Sequence, residues 1–209
     1  MITRVKLGFP EFNLHPCDRD TEYDIDDEYQ LSSHGGCLVL TSPSVVSTKK
    51  MSFSNGNCEL LIVEVPQMES HIITIYKPPP PNYSLRKFQE ILAKVRHFLT
   101  EREKSDYKVI MLGDFNFPSH VVDWVRSEEG IFPFAKDGVT DEKIGFGLMA
   151  DMCEEFNLEQ LVDKKARKEA ILDLVFTDSP EIFGKCTISS VKPIQIITWY
   201  HLVCGRSCR

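Results

Sequence analysis

The 209-residue sequence lacks the long apolar segment that a membrane-spanning helix requires. Crossing a bilayer takes about 20 consecutive apolar residues, and no stretch of the chain approaches that length. The leading segment 1–9 (MITRVKLGF) contains Arg4 and Lys6, which interrupt any apolar core of the kind found in signal peptides. We therefore expect an intracellular protein that does not enter a membrane.

The cysteines lack the pattern of a disulfide framework or of a zinc site. There are seven of them, they are scattered, and no two form a C-x-x-C pair. We expect most of them to be reduced thiols that pack as small hydrophobic side chains. No small-molecule cofactor is predicted.

An excess of basic residues is also missing, since the formal net charge is −7. Loose attraction to nucleic acid comes from Lys and Arg displacing counterions from phosphates, so this charge argues against it. A local basic groove stays open, and the main basic cluster is 164–168 (KKARK). The acidic run 18–28 has no register that places Gly and Glu as a calcium-binding loop does, so we interpret it as a surface loop.

What the sequence does contain is enough apolar material for one core. Its hydrophobic content is 42%, which predicts a single domain over residues 1–209. Three β-rich runs, at 36–41, 58–65 and 71–76, predict an antiparallel meander. Four successive prolines, Pro78–Pro81, end it because proline has no backbone N–H to donate.

Helical and strand patterns alternate after the prolines. Apolar residues at helical spacing predict one helix from Ser84, which stands in the N-cap position, and a second over 147–157. Continuous apolar runs at 109–112 and 170–177 predict buried strands. The segment 118–143 has little pattern and is predicted to be an irregular surface excursion.

Two carboxylates stand out because the residues around them are apolar. Asp114 follows the run 109–112 at its C-terminal end, where ligand sites of layered α/β folds collect. Asn116 would project to the same side if the extended conformation persisted. Asp173 interrupts the run Ile171–Phe176, and a buried carboxylate is costly unless it is bonded, paired or protonated. Considered alone, each residue has a structural interpretation that is as good as the functional one. Asp114 would then be an Asx-turn residue, and Asp173 would be a solvent-facing residue at a strand edge.

Several motifs follow one another in a set order along the chain. They are ITIYKPP at 73–79, VIMLGDFN at 109–116, LDLVF at 172–176 and HLV at 201–203. This order resembles that of the endonuclease/exonuclease/phosphatase superfamily, in particular the apurinic-type endonuclease domain of non-LTR (LINE-like) retrotransposons. The segment 12–19 with its D-R pair and the glycine-rich strand start at 34–40 are also similar to such domains, so the resemblance covers nearly the whole chain.

The resemblance implies a two-sheet α/β sandwich and magnesium-dependent hydrolysis of DNA phosphodiesters. Asp114 would orient or deprotonate the attacking water, Asn116 would hold this carboxylate and a phosphate oxygen, and Tyr76 would donate a hydrogen bond to the phosphate. His201 would stabilise the phosphoryl oxygens, and Asp173 would orient its imidazole. A functional retroelement endonuclease of this kind would act in the nucleus.

The sequence departs from the resembled family at two places. The family carries an Asn and a metal-binding Glu upstream of the D-R segment, and the given sequence begins after them. We do not expect Glu11 to substitute, so the metal ligands stay unknown. In the segment 198–201 (TWYH), Trp199 and Tyr200 replace the Ser and Asp of a Ser-Asp-His motif. A phenol does not supply a carboxylate's charge near neutral pH, so we expect a partial domain with weak or absent activity.

Two other interpretations remain open on the sequence. One is a phosphatase or phosphodiesterase of the same superfamily that acts on inositol phosphates or lipids. The other is a non-catalytic remnant of a retroelement with no enzymatic role. The Gly35-Gly36 strand start and the LDLVFT run favour the endonuclease.

Overall fold

The computed structural model describes residues 11–18, 36–56, 58–102, 106–128, 130–162 and 171–183. Within these ranges the helices are α1 (Leu85–Arg102) and α2 (Asp141–Glu155). The strands are β1 (Asn13–Asp18), β2 (Gly36–Thr41), β3 (Thr48–Ser54), β4 (Glu59–Val65), β5 (Ser70–Tyr76), β6 (Lys108–Asp114), β7 (Val122–Arg126), β8 (Ile131–Ala135), β9 (Glu159–Gln160) and β10 (Asp173–Thr177).

The centre of the fold is a mixed sheet in the order β3-β4-β5-β6-β10-β9. Strands β3, β4 and β5 form an antiparallel meander, β6 runs parallel to β5, and β10 runs antiparallel to β6. A parallel pair needs a crossover connection, and α1 lies between β5 and β6 in the chain. Together the sheet and its helices confirm the predicted α/β class.

Both faces of this sheet are covered by other elements. On the first face, α1 buries Phe88, Ile91, Leu92, Val95 and Leu99, and α2 buries Phe146, Met149, Met152 and Cys153. On the second face, strands β1 and β2 contribute Cys17, Cys37 and Val39, which pack on Leu61 and Val63. Because burying one aliphatic or aromatic side chain stabilises the fold by roughly 1.5–3 kcal/mol, the larger cluster under the helices contributes most of the stability of the core.

The predicted meander is wrong in its first member. The run Gly36–Thr41 is a strand with the predicted bounds, but it pairs with Asn13–Asp18 in a separate sheet. Its place in the meander is taken by Thr48–Ser54, an edge strand whose first residues are exposed. Apolar alternation in this strand is limited to Met51 and Phe53, which is too short a pattern to predict a strand from the sequence.

The segment 118–143 is not the irregular excursion that was predicted. Val122–Arg126 and Ile131–Ala135 form an antiparallel hairpin there. Helix α2 also begins at Asp141, six positions before the predicted start, because Thr140 caps it: the Thr140 hydroxyl accepts from the backbone N–H of Lys143 at 3.3 Å. Two glycines in the first half of α2, Gly145 and Gly147, hid this start in the sequence.

The proline-rich exit from the sheet is confirmed. Strand β5 ends at Tyr76, and α1 begins at Leu85, directly after Ser84. The Ser84 carbonyl accepts the first helical hydrogen bond from the Phe88 N–H at 3.1 Å, as expected for the N-cap position. Among the residues that the structure describes, no helix has the length and apolar character to cross a membrane.

Candidate active site

Three of the predicted site residues lie in one row across neighbouring strands. Tyr76 at the end of β5 is in register with Asp114 at the end of β6, and Asp114 is in register with Asp173 at the start of β10. Side chains at directly opposed positions project from the same face of a sheet, and all three are half-buried. The structure therefore brings a phenol and two carboxylates together at one edge of the sheet.

Close backbone packing between β5 and β6 holds this row in place. Gly113, the residue before Asp114, has φ +156°, and a Cβ there would lie 1.8 Å from the carbonyl oxygen of Ile75. No other residue type fits this approach without moving one of the strands. The glycine of the GDFN motif is thus required for the register that sets Asp114 beside Tyr76.

Beyond β6, the chain is anchored by aromatic residues that point away from the site. Phe115 and Phe117 are buried, with exposures of 0% and 1%, and their rings stack at a centroid distance of 6.5 Å. Phe115 also meets Phe176 edge-on, and Phe117 meets Phe88 and Phe146 in the same way. Packing of these rings fixes the backbone from which Asp114 and Asn116 extend.

The expectation that the chain stays extended through Asn116 is wrong. Asn116 has φ +46°, a left-handed conformation that Asn tolerates better than most residues. Its backbone N–H donates to Oδ1 of Asp114 at 3.2 Å, which is the geometry of an Asx turn. Asp114 is therefore a turn residue, as the Asx-turn interpretation predicts. Its carboxylate also lies in the row with Tyr76 and Asp173.

The Asn116 side chain binds the neighbouring strand exit. It is 7% exposed, and its Nδ2 donates to the backbone carbonyl of Lys77 at 2.9 Å. The Lys77 N–H in turn donates to the carbonyl of Asp114 at 2.9 Å. These bonds join the ends of β5 and β6, so Tyr76, Asp114 and Asn116 form one connected unit.

The sequence patterns missed two buried charged residues at this edge. Glu59, the first residue of β4, is in register with Tyr76 and is 0% exposed. Lys77, which follows Tyr76, is also 0% exposed. Burial lowers the pKa of Lys77 to about 8, with Glu142, Cys58 and Asp114 acting in the opposite direction. Glu59 is the first residue of the apolar strand β4, and Lys77 directly follows β5; these positions were the signal in the sequence.

Other predicted features lie outside the described residues. They include His201, Trp199, Tyr200 and the basic cluster 164–168. The predicted contact between Asp173 and His201 therefore stays a prediction. Four cysteines fall within the described ranges, and all four are buried: Cys17, Cys37, Cys58 and Cys153.

A magnesium site would need oxygen ligands at this edge of the sheet. Carboxylate oxygens are the ligands that magnesium prefers, and Asp114 and Asp173 supply them on neighbouring strands. In the described ranges, however, no group of three or more His, Cys, Asp or Glu side chains is arranged to hold a metal ion. We therefore assign no ligand set to the expected cation.

Comparisons with known proteins find similarity to solved structures. No protein-family model and no curated protein matches the chain. The endonuclease domain of TRAS1, a telomere-specific non-LTR retrotransposon, is 13% identical, with a TM-score of 0.46 over 78% of this chain and 64% of that one. The likeness is one of fold.

Two further solved structures are similar at the same level. The human Nocturnin catalytic domain, solved with bound sulfate, is 10% identical over 84% of this chain and 63% of that one, with a TM-score of 0.49. An endonuclease/exonuclease/phosphatase family protein from Bacteroides thetaiotaomicron is 10% identical over 83% and 61%, with a TM-score of 0.45. The chain spans less than two thirds of the length of each of the three structures.

Proposed function

We propose that this chain is a phosphodiester hydrolase domain of the retroelement endonuclease type, that its substrate is DNA, and that its turnover is weak. The observation that best supports the site is the row of Tyr76, Asp114 and Asp173 at one sheet edge, with Asn116 bonded to it. The resemblance of the ordered motifs supports the choice of DNA.

The chemistry assigned to these residues follows from their positions. Hydrolysis of a phosphodiester needs a positioned water and groups that stabilise charge on the phosphoryl oxygens. An ionised carboxylate has about four acceptor positions, so Asp114 can accept a bond from the Asn116 N–H and still orient a water. Tyr76, one strand away, would donate its phenolic hydrogen bond to the phosphate, and Asp173 would orient His201.

The amide of Asn116 carries two N–H groups, of which one is directed at the Lys77 carbonyl. In the proposed site the second contacts a phosphate oxygen, while the backbone N–H holds Asp114. Asn116→Ala would thus remove a substrate contact and the bond between the two strand ends at once.

Weak turnover is proposed because of one departure from the resembled motif. Tyr200 stands where that motif has an Asp, so the charge of that carboxylate is missing beside His201. Magnesium remains the cation to test, because the resemblance implies it.

The test is nicking of supercoiled plasmid by the purified chain while magnesium is titrated. We expect activity barely above background, and Asp114→Asn should remove it. Asp151→Asn, which changes an exposed carboxylate on α2, is the matched control and should leave the rate unchanged. Robust magnesium-dependent nicking that Asp114→Asn abolishes would contradict weak turnover and support the site.

Two other results would contradict the proposal itself. Nicking that survives Asp114→Asn would mean that the row is not the active site. Release of phosphate from an inositol phosphate in the absence of nicking would favour the phosphatase interpretation instead.

A further inference from the structure

Lys77 has surroundings that are unusual for a lysine. Its side chain is fully buried at the exit of β5, directly after the site residue Tyr76. The ammonium nitrogen lies 4.2 Å from the ring centroid of Tyr83 and 4.7 Å from that of Phe117. An ammonium group enclosed in this way loses its hydration, which is unfavourable unless other groups compensate. An aliphatic side chain would fill the same space without that cost.

The compensation comes from the turn that carries Asn116. Lys77 Nζ donates to the backbone carbonyls of Asn116, at 3.4 Å, and Pro78, at 3.3 Å. The Asn116 side chain donates back to the Lys77 carbonyl. Lys77 and Asn116 therefore bind each other reciprocally, and the lysine reaches beneath the same turn that positions the Asp114 carboxylate.

Negative groups near Lys77 favour its charged form. Glu142 in the first turn of α2 has the largest such effect on the pKa of Lys77, followed by Cys58 just before β4 and Asp114 on β6. Glu142 itself is largely buried, with one oxygen 3.6 Å from His120 Nε2. Tyr83 is the other titratable group in contact, and burial raises the pKa of its phenol. A helix carboxylate and a site carboxylate therefore both act on the cation.

We infer that Lys77 is a positioning residue of the candidate site: its ammonium group fixes the turn of Asn116 and places a positive charge behind Asp114. The inference rests on the proposed function for the identity of the site. It adds a residue that acts through Asn116 and Asp114 rather than by touching the substrate.

The coupling between Lys77 and Asp114 can be measured without substrate. NMR of protein labelled in its lysine side chains follows the titration of Lys77, whose midpoint is expected near pH 8. Asp114→Asn removes a negative charge that favours the ammonium form, so it should lower that midpoint. Asp151→Asn, on the exposed face of α2, is the control and should leave the midpoint where it is.

The role of the charge in holding Asn116 is tested by a pair of substitutions. Lys77→Met keeps much of the length and loses the charge, whereas Lys77→Arg keeps the charge. The Asn116 side-chain amide should exchange its protons at least about tenfold faster in Lys77→Met, because the turn opens more often. Lys77→Arg should restore part of this protection, and Lys108→Met, at the other end of β6, should not change it.

An unchanged Lys77 titration in Asp114→Asn would overturn the inference, and so would equal loss of amide protection in Lys77→Met and Lys77→Arg. If Lys77→Met does not fold, the Asp114→Asn titration decides the question alone, since it leaves the lysine in place. Failure of the proposed hydrolase activity would be seen only in the nicking assay. The NMR results do not depend on it.

Discussion

The two ends of the central sheet arrange their charges in opposite ways. At the end remote from the site, Arg102 Nη2 lies 2.8 Å from Asp178 Oδ2, and Asp178 Oδ1 accepts from the Val109 N–H at 2.8 Å. Arg102 also donates to the carbonyl of Tyr107. Opposite charges with several shared bonds are an arrangement that stabilises a fold.

The remote end also contains a second paired group. Glu64 Oε2 lies 3.3 Å from Lys50 Nζ and 3.4 Å from His71 Nε2. Burial lowers the pKa of His71, which keeps its imidazole neutral near pH 7, so the bond to Glu64 is a hydrogen bond more than an ion pair. Arg102, Asp178, Glu64 and Lys50 therefore each have a partner of opposite sign at this end.

At the site end, by contrast, carboxylates of like sign are placed side by side. Asp114 and Asp173 occupy directly opposed positions on β6 and β10, an arrangement that costs stability in a sheet. Natural proteins break such local rules mainly at functional sites. Asp178 and Asp114 are the same residue type, yet Asp178 lies beside an arginine and Asp114 lies opposite a second aspartate. The neighbours that the sheet register gives a charged residue, rather than its type, therefore distinguish a structural role from a candidate functional role.

The largest effect on the free energy of unfolding is expected from removing the ion pair between Arg102 and Asp178. Asp178→Ala would leave the mostly buried Arg102 guanidinium without its carboxylate and the Val109 N–H without an acceptor. We expect a loss of about 3 kcal/mol in the free energy of unfolding, measured by urea denaturation. Asp151→Ala should change it by less than about 0.5 kcal/mol. A loss equally small for Asp178→Ala would remove the distinction between the two ends.

A smaller effect is expected from the pH dependence of stability at the site end. The pKa of Lys77 falls from 10.5 to about 8 on folding, so between these values the unfolded chain binds a proton that the folded chain does not. Stability therefore rises with pH in this window, as the cost of the buried charge disappears. Between about pH 7.5 and 9.5, the free energy of unfolding of the native protein should rise by about 2 kcal/mol more than that of Lys77→Met.

The free energy of unfolding of the native protein must be compared with that of Lys77→Met, because other groups make stability fall as the pH rises. Burial raises the pKa of Cys153 to about 12 and also raises that of Tyr83, so both lower stability at high pH. These contributions cancel in the difference. Lys108→Met should run parallel to the native protein, and a native curve parallel to that of Lys77→Met would show that Lys77 is not buried as a cation.

The smallest effect is expected from relieving the like-charge row. Asp173→Asn removes one of two opposed charges and keeps the shape, so it should stabilise the protein by roughly 0.2–1 kcal/mol near neutral pH. The gain should vanish at acidic pH, where both carboxyl groups are protonated. Thermal unfolding at the two pH values measures this. Destabilisation at neutral pH would mean that Asp173 stabilises the fold, as Asp178 does.

Much of the site could be predicted because its residues interrupt apolar strands. Asp114 and Asp173 both adjoin buried runs, and the strands that carry them lie where the patterns placed them, with bounds that differ by a few residues. Glu59 and Lys77 were missed although they adjoin strands too. A glutamate and a lysine at strand ends are usually solvated, and only the packing of Tyr83 and Phe117 over Lys77 encloses it.

By itself, the sequence determined the local elements: apolar periodicity set the strands and helices of the core, the prolines ended β5, and Gly113 allowed the close approach of β6 to Ile75. Only the tertiary structure decided which strands are neighbours. Register depends on contacts between residues far apart in the chain, such as Tyr76 with Asp114 and Asp114 with Asp173, and no local pattern encodes them. For the same reason, the enclosure of Lys77 follows from packing around the assembled sheet edge, not from residue type.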